Sequence, residues 1–279
     1  MGSVAGIGDL RDKVENINAL PTIPGVLKRL LGVIENPRVS LNEISNFVSN
    51  DPALTTKVLK MVNSPVYGFP GRISSVNQAV ILLGLSVVKG LLLGVSVFDL
   101  MQKTMIGLWE HSLGCAIIAR LIAEKKGLKE PEEASIDGLL HDIGKVLLIL
   151  RFPDKYEKAM HDADINGMGI YEAERLHYGT THASVGSWMA QKWRFPQKLV
   201  DVIEHHHKPH LSKSAPVESA IVHLSDILVR ARGFGFAGDH TLMAVNPKSW
   251  QMLGLSEADL RDVLWTFEES LEMTEDLAL

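Results

Sequence analysis

The stretch Gly138-Leu139-Leu140-His141-Asp142-Ile143-Gly144-Lys145-Val146 sets a histidine beside a carboxylate inside an apolar run. Burying either group unpaired costs several kcal/mol, so a fold that takes this run into its core must supply a compensating partner. A metal ion is the obvious candidate. The pairing alone carries little weight, because His161-Asp162 repeats it in the polar setting Lys158 to Asp164, where it reads as a solvated helix face. The first pair differs in its apolar flanks and in Lys145, which a helix would return to the face of Asp142 and His141.

Of the 279 residues, 46% are apolar and 22% charged, enough for one large or two modest domains. The lone cysteine, Cys115, excludes an internal disulfide and a cysteine-rich zinc site, and fits a reducing compartment; a cytoplasmic location is expected. Met1-Gly2-Ser3-Val4-Ala5-Gly6 has neither the basic start of a secretory signal nor a Ser or Thr at position six for myristoylation. Ala79 to Phe98 is apolar enough in principle to span a bilayer. However, Lys89 sits at its middle, where a charge costs roughly 2.5–3.5 kcal/mol, and Gly84, Gly90 and Gly94 interrupt it. Two buried helices are expected there, and no membrane span.

Charge divides unevenly. Residues 1–108 hold 10 Lys/Arg against 7 Asp/Glu, whereas 109–279 hold 18 against 26. Neither part has the clustered basic stripe of a phosphate-backbone binder, so nucleic acid is not a favoured partner. All 11 histidines lie from His111 onwards, which places a functional boundary near residue 105.

Periodicity predicts helices almost throughout. One runs through Val26, Leu27, Leu30, Leu31 and Ile34 and stops at Asn36-Pro37. Ser40 with Glu43 forms a capping box, and Asp51-Pro52 supplies a cap and a first-turn proline for a helix to Val62, ended by Asn63-Ser64-Pro65. Ser75 or Asn77 opens another. Leu20-Pro21 with Pro24, Asp51-Pro52-Ala53-Leu54 with Lys57-Val58-Leu59, Val62-Asn63-Ser64-Pro65, and Ala79-Val80 with Leu83-Gly84 occur in that order. This series resembles the opening of the HDOD family, the HD-related output domain of bacterial signalling proteins, and the likeness extends over roughly residues 18–210.

Further helices are expected from Leu108 to a stop at Gly127, from Pro131 through His141-Asp142, over Pro153 to Ile165, from His182 to Trp193 behind a Thr180 or Thr181 cap, from Pro196 to the His205-His206-His207 run, over Pro216 to Arg232, and over Glu257 to Leu271. The fold class is all-α. Its expected divisions are a lead-in at 1–19, an N-terminal helical lobe at 20–105, an HD-like metal-binding lobe at 106–232, and a loop with a terminal helix at 233–279.

A binuclear metal site needs neutral imidazoles and carboxylates from separate helices, with one carboxylate able to bridge. His111, His141, Asp142, His182, His206, His207 and Asp226 are the candidates. Neighbouring helical residues diverge by about 100°, so no more than two of His205 to His207 share a face. Asp226 has His223 one turn back as an alternative partner, and Lys145 could serve only to neutralise carboxylates. Glu110 and Glu204 are candidate supports, while His161, His177, His210 and His240 read as surface residues.

The order of these residues resembles the HD superfamily of metal-dependent phosphohydrolases. That resemblance implies His111, His141, Asp142 and Asp226 as ligands of one ion, with Asp142 bridging to a second held by His182, His206 and His207. It also implies a catalytic role for Asp142, a substrate-phosphate contact for Lys145, and metal-assisted attack of water on phosphorus. One or two divalent ions (iron, manganese, zinc or nickel) suit the N/O donors. Lys208-Pro209-His210-Leu211 stands where the HD-GYP branch has its Asp-Gly and Gly-Tyr-Pro signature, which argues against cyclic di-guanylate hydrolysis. HDOD proteins are generally regulatory, so the expected role is a signalling protein acting through protein partners. The alternative is a phosphohydrolase of a nucleotide or other small phosphate.

Overall fold

The computed structural model describes residues 7–16, 25–36, 38–64, 66, 67, 69 and 71–274. Among these residues every regular element is helical. The helix α1 (Ile7–Glu15) falls within the expected lead-in and packs on helices of the C-terminal half. Leu20-Pro21, Pro24, Pro37 and Pro65, which carried part of the sequence reading, lie outside the described residues.

The first helical group is built by local signals. α2 (Gly25–Ile34) buries Leu27, Leu30, Leu31 and Ile34, the apolar stripe of its 3.6-residue repeat. α3 (Leu41–Ser49) starts at the Ser40/Glu43 capping box, and α4 (Pro52–Val62) starts with Asp51 accepting from Leu54 N–H and Pro52 at the first turn. All three pack on α5 (Val76–Thr104), capped by Ser75. At Gly84 the backbone turns to φ 78°, ψ 168°, so α5 is two helical segments joined at a kink that only glycine adopts cheaply. α5 is long and apolar enough to cross a membrane by length and composition, yet 72% of its most apolar window is buried against the protein. Lys89 is buried there and donates to the Ile34 carbonyl, its pKa lowered by burial.

α5 passes onto α6 (Leu108–Lys125), α7 (Pro131–Leu140) and α8 (Ile143–Arg151). The sequence reading carried one helix through His141 and Asp142; the structure instead breaks it between α7 and α8. His141 ends α7, and Asp142, at φ −98° and ψ 9°, starts α8. Beyond lie α9 (Pro153–Asn166), α10 (Ile170–Tyr178), α11 (His182–Lys192), α12 (Gln197–His205) and a 3₁₀ turn at Pro209–Leu211. α13 (Pro216–Arg232), α14 (Pro247–Leu253) and α15 (Glu257–Thr274) complete the order. α10 had no counterpart in the sequence reading, and α14 forms within the segment read there as a loop. α6 is the central helix of this half, packed by α7, α13 and α15.

The link between α12 and α13 is set by one side chain. Asp201 Oδ2 accepts from the Ser212 hydroxyl (2.6 Å) and from the N–H groups of Lys213 (3.0 Å), Ser214 (2.8 Å) and Ala215 (3.1 Å). Burial disfavours the charge, but the bonds from Ser212, Ser214 and Ala215 outweigh it and hold the carboxyl below the usual range. A depressed folded pKa contributes stability above the unfolded value, lost as pH falls through the folded one. Asp201→Asn is therefore less resistant to urea at neutral pH, and its deficit narrows as the pH drops below about 4, where the unfolded wild type protonates first and the folded one follows at lower pH. Parallel urea titrations across that range check this; a deficit independent of pH contradicts it.

Candidate metal centre

Each imidazole of the centre is delivered by an element end or by a buried helix face. His111 lies one turn into α6, His141 and Asp142 occupy the α7–α8 break, His182 opens α11 behind its Thr181 cap, His206 and His207 follow the last residue of α12, and Asp226 lies on α13. Because α12 ends at His205, the next two residues escape the divergence of a continuous helix. His206 and His207 both enter the centre, and His205 turns towards Asp201 (3.5 Å).

All seven sequence candidates for ligation converge. Donor atoms of His111, His141 and Asp226, with Cys115, form one group, and those of Asp142, His182, His206 and His207 a second; within each, the atoms lie within 4.8 Å of one another. Asp142 faces both groups. Its Oδ2 is 3.6 Å from His111 Nε2 and 3.2 Å from His141 Nε2, while its Oδ1 is 3.2 Å from His182 Nε2 and 3.8 Å from His206 Nε2. His111 Nε2 is also 3.2 Å from Asp226 Oδ1. Cys115 was read from sequence only as a redox marker; at 3.6 Å from His111 Nε2 its sulfur joins the first group. The i, i+4 spacing of His111 and Cys115 was the available signal. Burial, with Asp226 and Asp142 nearby, pushes that thiol's pKa well up.

The outer ring nitrogens fix the tautomers. His141 Nδ1 lies 2.7 Å from the Gly138 carbonyl, His206 Nδ1 2.8 Å from that of Ile203, and His182 Nδ1 2.6 Å from Glu174 Oε2. With a proton on each Nδ1, the Nε2 atoms present lone pairs inward. His182 Nε2 then stands 3.3 Å from His206 Nε2 with no proton between them. Burial lowers the pKa of His206 and His207 well below the ordinary histidine value, and that of His111 to about 4, which keeps these rings neutral. For His141 burial opposes the charged form, but Asp142 and Asp226 outweigh it and raise the pKa. His141 Nε2 and Asp142 Oδ1, both buried, have no hydrogen-bond partner among the described residues. Opposed acceptors around a carboxylate, with buried orphan atoms, are the donor set a transition-metal cation satisfies.

Charged neighbours steady the carboxylates. Burial would raise the pKa of Asp142, yet His141 and Lys145 hold it well below the ordinary range; Arg230 and His111 do the same for Asp226. Lys145 is 0% exposed, and its ammonium donates to Asp142 Oδ2 (2.5 Å) and to the Ala237 carbonyl (2.8 Å). Arg230 donates to Asp226 (2.7 Å) and Asp239 (3.1 Å), and Asp239 also accepts from Ile170 N–H. The 233–246 segment is thus tied to the centre. His223 is not the partner of Asp226: its Nδ1 meets the His206 carbonyl (2.9 Å), and its Nε2 accepts from Asn246 N–H.

The supporting carboxylate that sequence reasoning missed is Glu174, on the unrecognised α10. Fully buried, it accepts from Tyr156 Oη (2.8 Å) and from both the backbone and ring N–H of His182. Glu110, one of the two expected supports, is instead bonded to Gln102, and no contact to the centre involves Glu204. His207 is only half-buried; the Tyr171 ring lies 4.7 Å from its own, and Lys208 Nζ sits 5.1 Å from the centre of the Tyr171 ring. His161, His210 and His240 are exposed, whereas His177 is half-buried against Asp162 (2.8 Å).

The helical fold and the buried imidazole–carboxylate cluster together define an all-α protein with a candidate metal centre. The chain belongs to the HDOD domain family, whose model matches residues 20–209. An uncharacterized protein of Treponema pallidum is 27% identical over 267 residues, covering 92% of this chain, which spans only 51% of that relative's length. Ribonuclease Y of Mycoplasmoides gallisepticum is 31% identical over 136 residues, 47% of this chain and 20% of the enzyme. Among solved structures, an HDOD domain protein of unknown function from Geobacter sulfurreducens matches with a TM-score of 0.71 and 28% identity over 97% of this chain and 96% of its own. A provisionally named phosphohydrolase from Shewanella amazonensis gives 0.68 and 21% over 99% of both chains, a likeness of fold alone.

Proposed function

We propose that this chain is an HDOD signalling protein built around a binuclear transition-metal centre, acting in the cytoplasm through a protein partner. The observation that carries the metal centre is Asp142, one oxygen turned to each cluster of inward-facing imidazoles. His111, His141 and Asp226 would hold one ion, His182, His206 and His207 the other, and Asp142 would bridge them. When bound, such ions acidify water and stabilise negative charge on phosphoryl oxygens. The protein's own residues do the rest: Glu174, Gly138 and Ile203 fix the tautomers, and Lys145 and Arg230 keep the carboxylates ionised.

A second reading, hydrolysis of a small phosphate compound, is favoured by the completeness of both clusters and by the half-buried position of His207. Lys145 is enclosed and donates to Asp142 and the Ala237 carbonyl, so its role here is to neutralise Asp142. Lys208, over Tyr171 at the half-buried edge, is the cation placed to meet a phosphate.

Elemental analysis of protein purified without a histidine tag or added metal should give one or two ions per chain. Absence of metal even after reconstitution refutes the centre. With metal bound, turnover on a panel of nucleotides and phosphate esters supports hydrolysis, and its absence leaves the regulatory reading. Glu174→Gln tests the support directly. Losing the charge behind His182 should weaken binding of one ion by about 10–100-fold while the other is retained, a biphasic change visible in chelator competition. Equal loss of both ions contradicts the assignment of two separately supported clusters.

A further inference from the structure

Away from the metal centre, α5, α7, α13 and the residues opening α12 enclose a cleft of about 420 Å³, part of it open to solvent. Its apolar walls include Val87 and Leu199; its charged groups are Glu133, Asp137, Glu218 and Lys198, with Ser86 beside them. Three carboxylates against one ammonium leave the cleft acidic, and the ammonium is at the rim. The Lys198 side chain is 60% exposed and reaches only Glu218, at 3.7 Å.

Asp137 is the most buried of these charged groups. It is 5% exposed, lines the cleft, and makes no hydrogen bond or ion pair to any described residue. Its oxygens are not sealed in the core but open to the cleft, so a donor entering there meets a carboxyl group that no described residue engages. Burial, and the charges of Glu218 and Glu133, push its pKa well up, so the cleft is short of positive charge. A bare metal ion does not fit this description. Among the described residues the close-set clusters of three or more ligating atoms are the two at the metal centre, and these three carboxylates form none. They share the cleft with the apolar side chains of Val87, Ile136, Pro196 and Leu199, which suits a charge carried at the end of an alkyl chain.

We propose that this cleft binds a small organic cation, an alkylammonium or alkylguanidinium, with its charged head on Asp137 and its chain between Val87 and Leu199. The head donates the hydrogen bonds Asp137 lacks. Glu133 and Glu218 surround it with negative charge, and Lys198 closes the rim through Glu218. The bound ligand touches both α5 and the helix that ends at His141, so it spans the two helical groups of the fold.

Isothermal calorimetry on the full chain tests this with n-butylammonium, n-butylguanidinium and 1,4-diaminobutane, against n-butanol and potassium chloride as controls. Saturable binding of one molecule per chain is expected for at least one cation, at millimolar affinity or tighter, and none for n-butanol. Asp137→Asn keeps the shape of the side chain and should weaken the binding at least tenfold, with helicity and metal content unchanged. Glu218→Gln, at the more exposed wall, should weaken it less. The proposal is overturned if no cation binds above the salt control, or if binding survives Asp137→Asn within twofold.

Discussion

Asp142→Ala should leave the proposed centre without transition metal and should destabilise the protein at the same time. The two effects have separate causes. Metal loss follows from geometry: each carboxylate oxygen faces a different cluster, so one truncation removes a donor from both. The loss of stability follows from Lys145, whose fully buried ammonium would keep only the Ala237 carbonyl. Breaking a buried ion pair by removing one partner costs about 3–5 kcal/mol, because a buried charge is left uncompensated. Asp142→Ala/Lys145→Met separates the causes, since it removes the stranded charge without restoring a ligand. Urea midpoints should fall steeply in the single variant and recover substantially in the double, whereas elemental analysis should find neither variant loaded. A single variant that retains both ions contradicts the bridging role. A double variant no more stable than the single contradicts the account of Lys145.

Short-range signals were the most legible part of the sequence. Ser40 with Glu43 and Asp51 with Pro52 act over one helical turn, and the helices they announce begin where those signals stand. The ligand types were equally visible, because an imidazole or carboxylate in an apolar setting needs a partner wherever the chain takes it. What the sequence could not supply was the direction each side chain faces. His141 and Asp142 sit in a helical pattern, yet the structure breaks the helix at them, with His141 directed to the first cluster and Asp142 set between the two. α10 escaped notice because the segment between Gly167 and Thr181 is polar and bounded by glycines, like a loop. Glu174 was lost with it. Its role depends on α10 crossing to the start of α11, which local propensity does not encode.

Gly138 and Gly144 flank the His-Asp pair, and Gly144 shows most sharply how packing places the centre. A Cβ at Gly144 would lie 1.9 Å from the His182 carbonyl oxygen and 2.8 Å from Gly186 N, atoms of the α11 backbone that cannot rotate aside. Alanine is favoured over glycine in a helix interior by about 1 kcal/mol, so propensity alone predicts that Gly144→Ala stabilises. The contact reverses the sign. Overpacking costs typically about 1–3 kcal/mol, and backbone-to-backbone contact puts this site at or above the top of that range. α8 and α11 must separate, and His182 moves with α11 away from Asp142, 3.2 Å distant in the wild type. Gly144→Ala should therefore have a lower urea midpoint and lose metal first from the His182 cluster. Gly32→Ala is the matched control: Gly32 lies within α2 with nothing within 4 Å of its added Cβ, so there the helix preference prevails and stability should rise. If Gly144→Ala instead matches Gly32→Ala in sign and keeps its full metal complement, the close approach of α8 to α11 is not what sets His182 against Asp142.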